Sequence, residues 1–182
     1  MILKDYSWIF ENQLGDFFCD DVVKLGRQTT KRRASVGKSH VPDTKVRNSN
    51  VCFLSDYWIR ESFSGYFYTA NRNAGWNFEF NQFEHFQFTE YKKNQFYKWH
   101  TDTYLSDQLI RKVSGIITLS NPKEYTGGEL QIKTPEDKII KISKKPRGTL
   151  ILFPSFLRHR VTPITSGTRH SLVIWARGEN FK

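Results

Sequence analysis

The sequence predicts a mainly β protein with N-terminal helices, an α+β arrangement whose core is a double-stranded β-helix, or jelly roll. Three observations carry this. From Phe78 onward apolar residues recur with period two, turn signals interrupt them at short intervals, and helical spacing is confined to the residues before Phe78. Helices first and strands afterwards fit a double sheet with its helices packed outside. Residues 1–77 then supply helical support and the first strands, and residues 78–178 the jelly-roll core, within one domain spanning 1–182.

Tyr6, Trp8 and Phe10 alternate as in a short strand. Asp16 is placed to cap a helix carrying Phe18, Cys19, Val22, Val23 and Leu25. Lys31 to Asn50 reads as loop. Val51 to Leu54 is a short strand, and Ser55 is placed to cap a second helix with Ile59, Phe63, Tyr66, Phe67 and Ala70 at helical spacing, ended by Asn71 to Asn77. Alternation then runs through Phe78/Phe80, Phe86/Phe88, Val113/Gly115/Ile117/Leu119, Leu130/Ile132, Ile140/Ile142, Leu150/Leu152 and Leu172/Ile174/Ala176. Turns at Asn121-Pro122, Thr126-Gly127-Gly128, Thr134-Pro135, Lys145 to Gly148 and Ser166-Gly167 divide it into about eight strands.

Composition excludes several classes. Apolar residues are 38% and charged residues 25%, which argues against disorder. Cys19 and Cys52 form no C-x-x-C pair, so neither a disulfide framework nor a zinc finger is expected, and a reducing cytoplasm fits. The N-terminus turns polar before a signal-peptide core could form and no apolar window is long enough to span a bilayer, so a soluble protein without a membrane partner is expected. The net charge of +10 is concentrated in residues 24–47, with eight Lys/Arg against Asp43, and residues 138–160, with seven against none. Such patches attract anionic partners or serve solubility as a solvated face.

In Tyr97-Lys-Trp-His100-Thr-Asp102, extended backbone puts the imidazole of His100 and the carboxylate of Asp102 on one face, where they could grip a metal ion or form a surface hydrogen bond. His159 follows a later strand aimed at the same core. Two histidines and one carboxylate make a facial triad that leaves coordination positions open on Fe(II) for a chelating cosubstrate and O2. Zinc is the main rival metal, although structural zinc sites prefer closed Cys/His sets. Arg169, Ser171, Val173 and Trp175 share one face of a strand, and a guanidinium on an apolar strand needs an anion. That anion is expected to be the distal carboxylate of 2-oxoglutarate; the alternative is an internal pair with Asp or Glu.

With these residues, Arg47 to Gly178 resembles the 2-oxoglutarate- and Fe(II)-dependent oxygenases of the prolyl 4-hydroxylase type, nearest to the small prokaryotic or viral and the oxygen-sensing prolyl hydroxylases. Tyr91, Tyr97, His100 and Asp102 match the family's upstream tyrosine and Tyr-x-x-His-x-Asp; Gly127-Gly128-Glu129-Leu130 matches its Gly-Gly-x-Leu hairpin; His159, Arg169 and Trp175 match its closing residues. Arg47-Asn48-Ser49 resembles its opening strand. The resemblance implies that Tyr91 and Thr118 join Arg169, with Ser171 beside it, around the cosubstrate. It also places Tyr97, Arg111, Trp175 and Arg47 at the substrate groove, Trp175 having a plain core role as its alternative. Collagen-type members often carry Lys where Arg169 stands, and the oxygen-sensing type carries Arg.

The implied activity is hydroxylation of a prolyl residue in a protein or peptide, with 2-oxoglutarate decarboxylated to succinate and Fe(II), O2 and ascorbate as cofactors and reductant. Two alternatives are the same chemistry on a nucleobase or another side chain, and a non-catalytic jelly-roll binding module. Nucleic-acid dealkylases of the superfamily carry a second arginine where this chain has Trp175, which counts against the nucleobase. Substrate recognition is expected from loops 31–50, 71–77 and 103–110. His40, His85 and His170 fit no part of the pattern.

Overall fold

The computed structural model describes residues 3–36, 41–104 and 108–181; Lys38 and His40 of the basic segment and part of the 103–110 loop lie outside these. The chain runs β1 (Trp8–Phe10), α1 (Asp16–Gln28), β2 (Arg32–Arg33), β3 (Arg47–Asn48), β4 (Asn50–Leu54), α2 (Tyr57–Asn73), β5 (Gln82–Phe83), β6 (Phe86–Tyr91), β7 (Phe96–His100) and β8 (Ile110–Thr118). It continues as β9 (Tyr125–Gly127), β10 (Leu130–Lys133), β11 (Ile139–Ile142), β12 (Leu150–Pro154), β13 (His159–Val161), β14 (Ile164–Gly167) and β15 (Arg169–Gly178). A major sheet has the order β1-β12-β8-β15-β6-β4-β2, with β5 also on β15, and a minor sheet the order β11-β10-β13-β7-β3. This is the expected mainly β jelly-roll architecture with two helices.

The major sheet is covered on both sides, and the register separates its two faces. Val113, Gly115 and Ile117 of β8 pair with Ala176, Ile174 and Leu172 of β15, and Leu172 with Phe88 of β6. These residues form the outer face, packed against Cys19 and Val22 of α1 and Ile59, Phe63 and Phe67 of α2. The close approach of α1 depends on Gly26, where an added Cβ would run into the Phe88 ring. The alternate residues, Ser114 and Ile116, Ser171 and Trp175, Thr89 and Tyr91, face the minor sheet. Polar side chains on that inner face mark where the interior is not ordinary core.

Local expectations fail at four places. Asp16 begins α1, but Gly15 is its cap, and Asp56 rather than Ser55 precedes α2; neither helix has a side-chain cap bond. Asp16 instead meets Arg147 at 3.4 Å. Phe78 and Phe80 form no strand, because the Asn71 side chain takes both the backbone N–H and the carbonyl of Phe78 at 2.9 Å. Residues 31–50 are not all loop: they contribute β2 and β3, edge strands too short to show periodicity. From Phe78 onward the described residues form eleven strands, β5 to β15, rather than about eight, the additions being mostly short pieces such as β5, β9 and β13. No helix of the described residues is long and apolar enough to cross a membrane.

Candidate metal centre and cosubstrate pocket

Between the two sheets lies a cleft of about 550 Å³ that contains His100, Asp102 and His159. Tyr97 and His100 are three residues apart and would face opposite sides of a regular strand. A β-bulge reconciles them. Tyr97 pairs with Val161 and His100 with His159, so that Lys98 and Trp99 together oppose Arg160 alone. Both Tyr97 and His100 therefore point inward, with ring centroids 3.4 Å apart and nearly parallel planes. Asp102 lies beyond the strand end, its N–H bonded to the Ser155 carbonyl at 2.9 Å.

The Nδ1 of His100 lies 2.8 Å from the Lys98 carbonyl, and that of His159 lies 3.0 Å from the Leu157 carbonyl. A carbonyl only accepts, so each Nδ1 carries the proton and each Nε2 keeps a lone pair for a metal. One ligand atom from each of the three residues lies within 4.8 Å of the others, with Asp102 Oδ1 3.7 Å from His100 Nε2 and Oδ2 3.5 Å from His159 Nε2, close enough for the three to share one ion. Ser114 Oγ and Trp175 Nε1 donate to Oδ2 at 2.7 and 2.8 Å, leaving Oδ1 to a cation. Two imidazoles and a carboxylate on one side of an otherwise open cleft fit Fe(II).

Protonation follows from this setting. Burial, reinforced by His159, pushes the His100 imidazole down to about 3 against the counterpull of Asp102. Burial opposes ionisation of Asp102, but His159, His100, Arg111 and the Trp175 N–H together hold its carboxyl well below the usual range. His170, away from the cleft, is also lowered by burial despite Glu90. An imidazole that stays neutral when folded but titrates at about 6.5 when unfolded makes the unfolded chain bind more protons. Stability is therefore complete above that pH and lost as the pH falls toward the folded value, with Asp102 adding the same sign at lower pH. Melting of the metal-free protein should drop progressively below about pH 6.5; a flat profile from neutral to mildly acidic pH would refute these burial effects.

Arg169 is 4% exposed, and among the described residues no carboxylate lies within ion-pair distance of it. Its Nη1 donates to Ser171 Oγ at 3.2 Å, and its guanidinium lies 5.6 Å from the Tyr91 ring centre. A buried cation without a counter-ion is costly, and a dicarboxylate beside it would relieve that cost. Gly128, at φ +66°, makes room for this side chain: a Cβ there would press on Arg169 Cδ at 3.0 Å. Arg169, Ser171, Val173 and Trp175 all line the cleft, as do Tyr91, Tyr97, Arg47 and Arg111.

Two of the residues that the resemblance singles out are already engaged within the fold. Thr118 does not line the cleft. Its hydroxyl donates to the Pro146 carbonyl at 2.9 Å and accepts from the Thr149 N–H at 3.1 Å, bracing the turn before β12. Arg111 is not free for an acidic ligand. Its Nε and Nη2 meet Glu84 at 2.7 and 2.6 Å, and its guanidinium covers Trp175 at 3.7 Å. Glu84 and Ser114 are the site residues that sequence reading missed. Ser114 had a signal, a hydroxyl at an inward position in an apolar strand; Glu84 had none.

A family model described as the 2OG-Fe(II) oxygenase superfamily matches residues 86–177. A PKHD-type hydroxylase of Synechococcus sp. is 40% identical over 91 residues, 48% of this chain and 40% of that protein. Another, of Parvibaculum lavamentivorans, is 34% identical over 89 residues, 49% and 40% of the two. The match thus spans about 40% of the length of these relatives. Among solved structures, a Trichoplax adhaerens prolyl hydroxylase in complex with a hypoxia inducible factor peptide fragment superposes with TM-score 0.78 at 19% identity, over 94% of this chain and 83% of that one. A Pseudomonas putida prolyl-4-hydroxylase gives 0.75 at 17% identity, over 96% and 94%. At such identities the likeness is one of fold.

Proposed function

This chain belongs to the 2OG-Fe(II) oxygenase superfamily, and on that premise we propose that it hydroxylates a prolyl residue of a peptide or protein, converting 2-oxoglutarate to succinate. The observation that carries the reading is the free Tyr97 hydroxyl beside the triad. The ring is fixed on His100, yet among the described residues its hydroxyl has no hydrogen-bond partner. It is thus available to a backbone carbonyl of an extended peptide. The PKHD-type hydroxylase relatives and the prolyl hydroxylases of the same fold, one of them in complex with a peptide, support this substrate class.

His100, Asp102 and His159 would hold Fe(II), with ascorbate as the reductant that keeps it ferrous. When bound with 2-oxoglutarate and O2, iron supplies the oxidation: the cosubstrate loses CO2 and one oxygen atom enters a substrate C–H bond. The protein's residues do the rest. Trp175 and Ser114 fix the Asp102 carboxylate; Arg169, with Ser171 and Tyr91, clasps the distal carboxylate of the cosubstrate. Ile116, Phe153 and Val173 line the inner wall and restrict water there. The free thiols of Cys19 and Cys52 fit a reducing compartment such as the cytoplasm.

A nucleic-acid substrate draws little support from the basic segment 138–160. Lys145 pairs with Glu11, Arg147 with Asp16 and Asp20, Lys144 with the Pro122 and Tyr125 carbonyls, and Arg160 with Gln131. These cations brace the fold. The test adds proline-containing peptides or single-stranded oligonucleotides to iron-loaded protein, reading succinate release and the mass gain of one oxygen. Peptides should stimulate turnover. Tyr97→Phe keeps the ring on His100 and removes only the hydroxyl, so peptide-stimulated kcat/KM should fall about tenfold with 2-oxoglutarate affinity unchanged. Stimulation by oligonucleotides alone would replace the prolyl reading.

A further inference from the structure

We propose that the mouth of the cleft selects peptides bearing an acidic side chain near the target residue, read by Arg32 and Arg47. The inference rests on the prolyl-peptide reading above and adds a substrate preference to it.

The mouth is built from the free edges of both sheets. β2 ends the major sheet and β3 ends the minor sheet. Arg32 pairs with Val51, which pairs with Thr89 on the inner face, so Arg32 stands on the cleft side of its edge. Arg47 pairs with Tyr97 and shares its inward face. Both arginines line the cleft. One cation from each sheet thus flanks the way to the metal ligands.

The charges of the cleft do not balance. Five arginines and two carboxylates line it. Glu84 meets both Arg111 and Arg177, at 2.6 and 3.5 Å. Asp102 is enclosed by its metal-site neighbours, and Arg169 sits deep beside Tyr91 and Ser171. Arg32 and Arg47 remain, and among the described residues neither is paired with a carboxylate. Arg47 is also under-satisfied: its Nε is buried without a hydrogen-bond partner, and its Nη1 reaches the Ser35 carbonyl only at 3.4 Å.

Each guanidinium is steadied on an aromatic ring, Arg47 at 4.5 Å from the Tyr97 centroid and Arg32 at 5.5 Å from that of Phe53. Phe53 is 40% exposed, unusual for a phenylalanine on a sheet face. A cation held on a ring is oriented beforehand and loses less freedom on binding, and it offers a carboxylate two parallel N–H donors. Phe53 alongside would take the methylenes of a glutamate or a neighbouring apolar residue. Because Arg47 lies on the ring whose hydroxyl is assigned to the peptide backbone, the acidic residue would fall close to the target proline in sequence.

The experiment uses metal-loaded protein and a family of otherwise identical proline peptides carrying Glu, Gln or Lys at successive positions on either side of the proline. At one or two positions Glu should exceed Gln about tenfold in kcat/KM, mainly through KM, and high salt should shrink the difference. Arg32→Gln should flatten the preference, and Arg32→Glu should reverse it toward Lys at the same position, which a misfolded variant could not do. Peptides turned over equally whatever their charge would overturn the inference and leave the prolyl reading standing. A Glu preference kept in both Arg32→Gln and Arg47→Gln would also overturn it, whereas turnover of no peptide would remove the prolyl reading and the inference with it.

Discussion

His100→Ala is expected to abolish succinate formation from 2-oxoglutarate and to lower metal affinity by more than about a hundredfold, since changes to residues that merely support a ligand already cost 10- to 100-fold. The loss is specific to the site. His100 closes one of the ligand contacts to Asp102 and carries the stacked Tyr97 ring, but the outer-face core of Phe63, Phe67 and Phe88 lies on the far side of the major sheet. The variant should therefore fold. Ser114→Ala and Trp175→Phe each remove one donor to Asp102 Oδ2 and should fall between it and the parent, at about 10- to 100-fold. Titrating Mn(II) or Fe(II) into metal-free protein, with succinate measured in parallel, checks the series. Near-parental metal affinity in His100→Ala would remove the three residues from the metal assignment.

Arg169→Ala is expected to weaken 2-oxoglutarate binding by about 3 to 5 kcal/mol, two to more than three orders of magnitude in Kd, because on the proposed assignment it would strand the distal carboxylate in a water-poor pocket. Arg169→Lys keeps the charge without the fork and should recover part of the loss. A second effect has the opposite sign. The guanidinium is buried without a carboxylate partner among the described residues, so Arg169→Met, measured without cosubstrate, should melt at a higher temperature than the parent. A higher melting point with weaker cosubstrate binding is the signature of a charge kept for function at the expense of the fold. Parental 2-oxoglutarate affinity in Arg169→Ala would show that the pocket lies elsewhere.

Local pattern determined a great deal about this protein. The alternation of β8, β12 and β15, the two helices ahead of them and the inward parity of Ser171 and Trp175 on β15 depend on periodicity alone, because side chains two apart on a strand must share a face. The convergence of His100, Asp102 and His159 was legible because two imidazoles and a carboxylate carry a chemistry that few other residue sets do. Tertiary structure decided what depends on partners distant in sequence. The bulge at Lys98 and Trp99, which turns Tyr97 and His100 to one side, is set by pairing with β13. Thr118 is claimed by the turn at Pro146 and Thr149, and Arg111 by Glu84, 27 residues away. Arg32 and Arg47 were only members of a basic run until two sheet edges brought them to one cleft. A side chain's composition says what it can bind, but which of several eligible partners it meets is settled by the packing of strands that no local window contains.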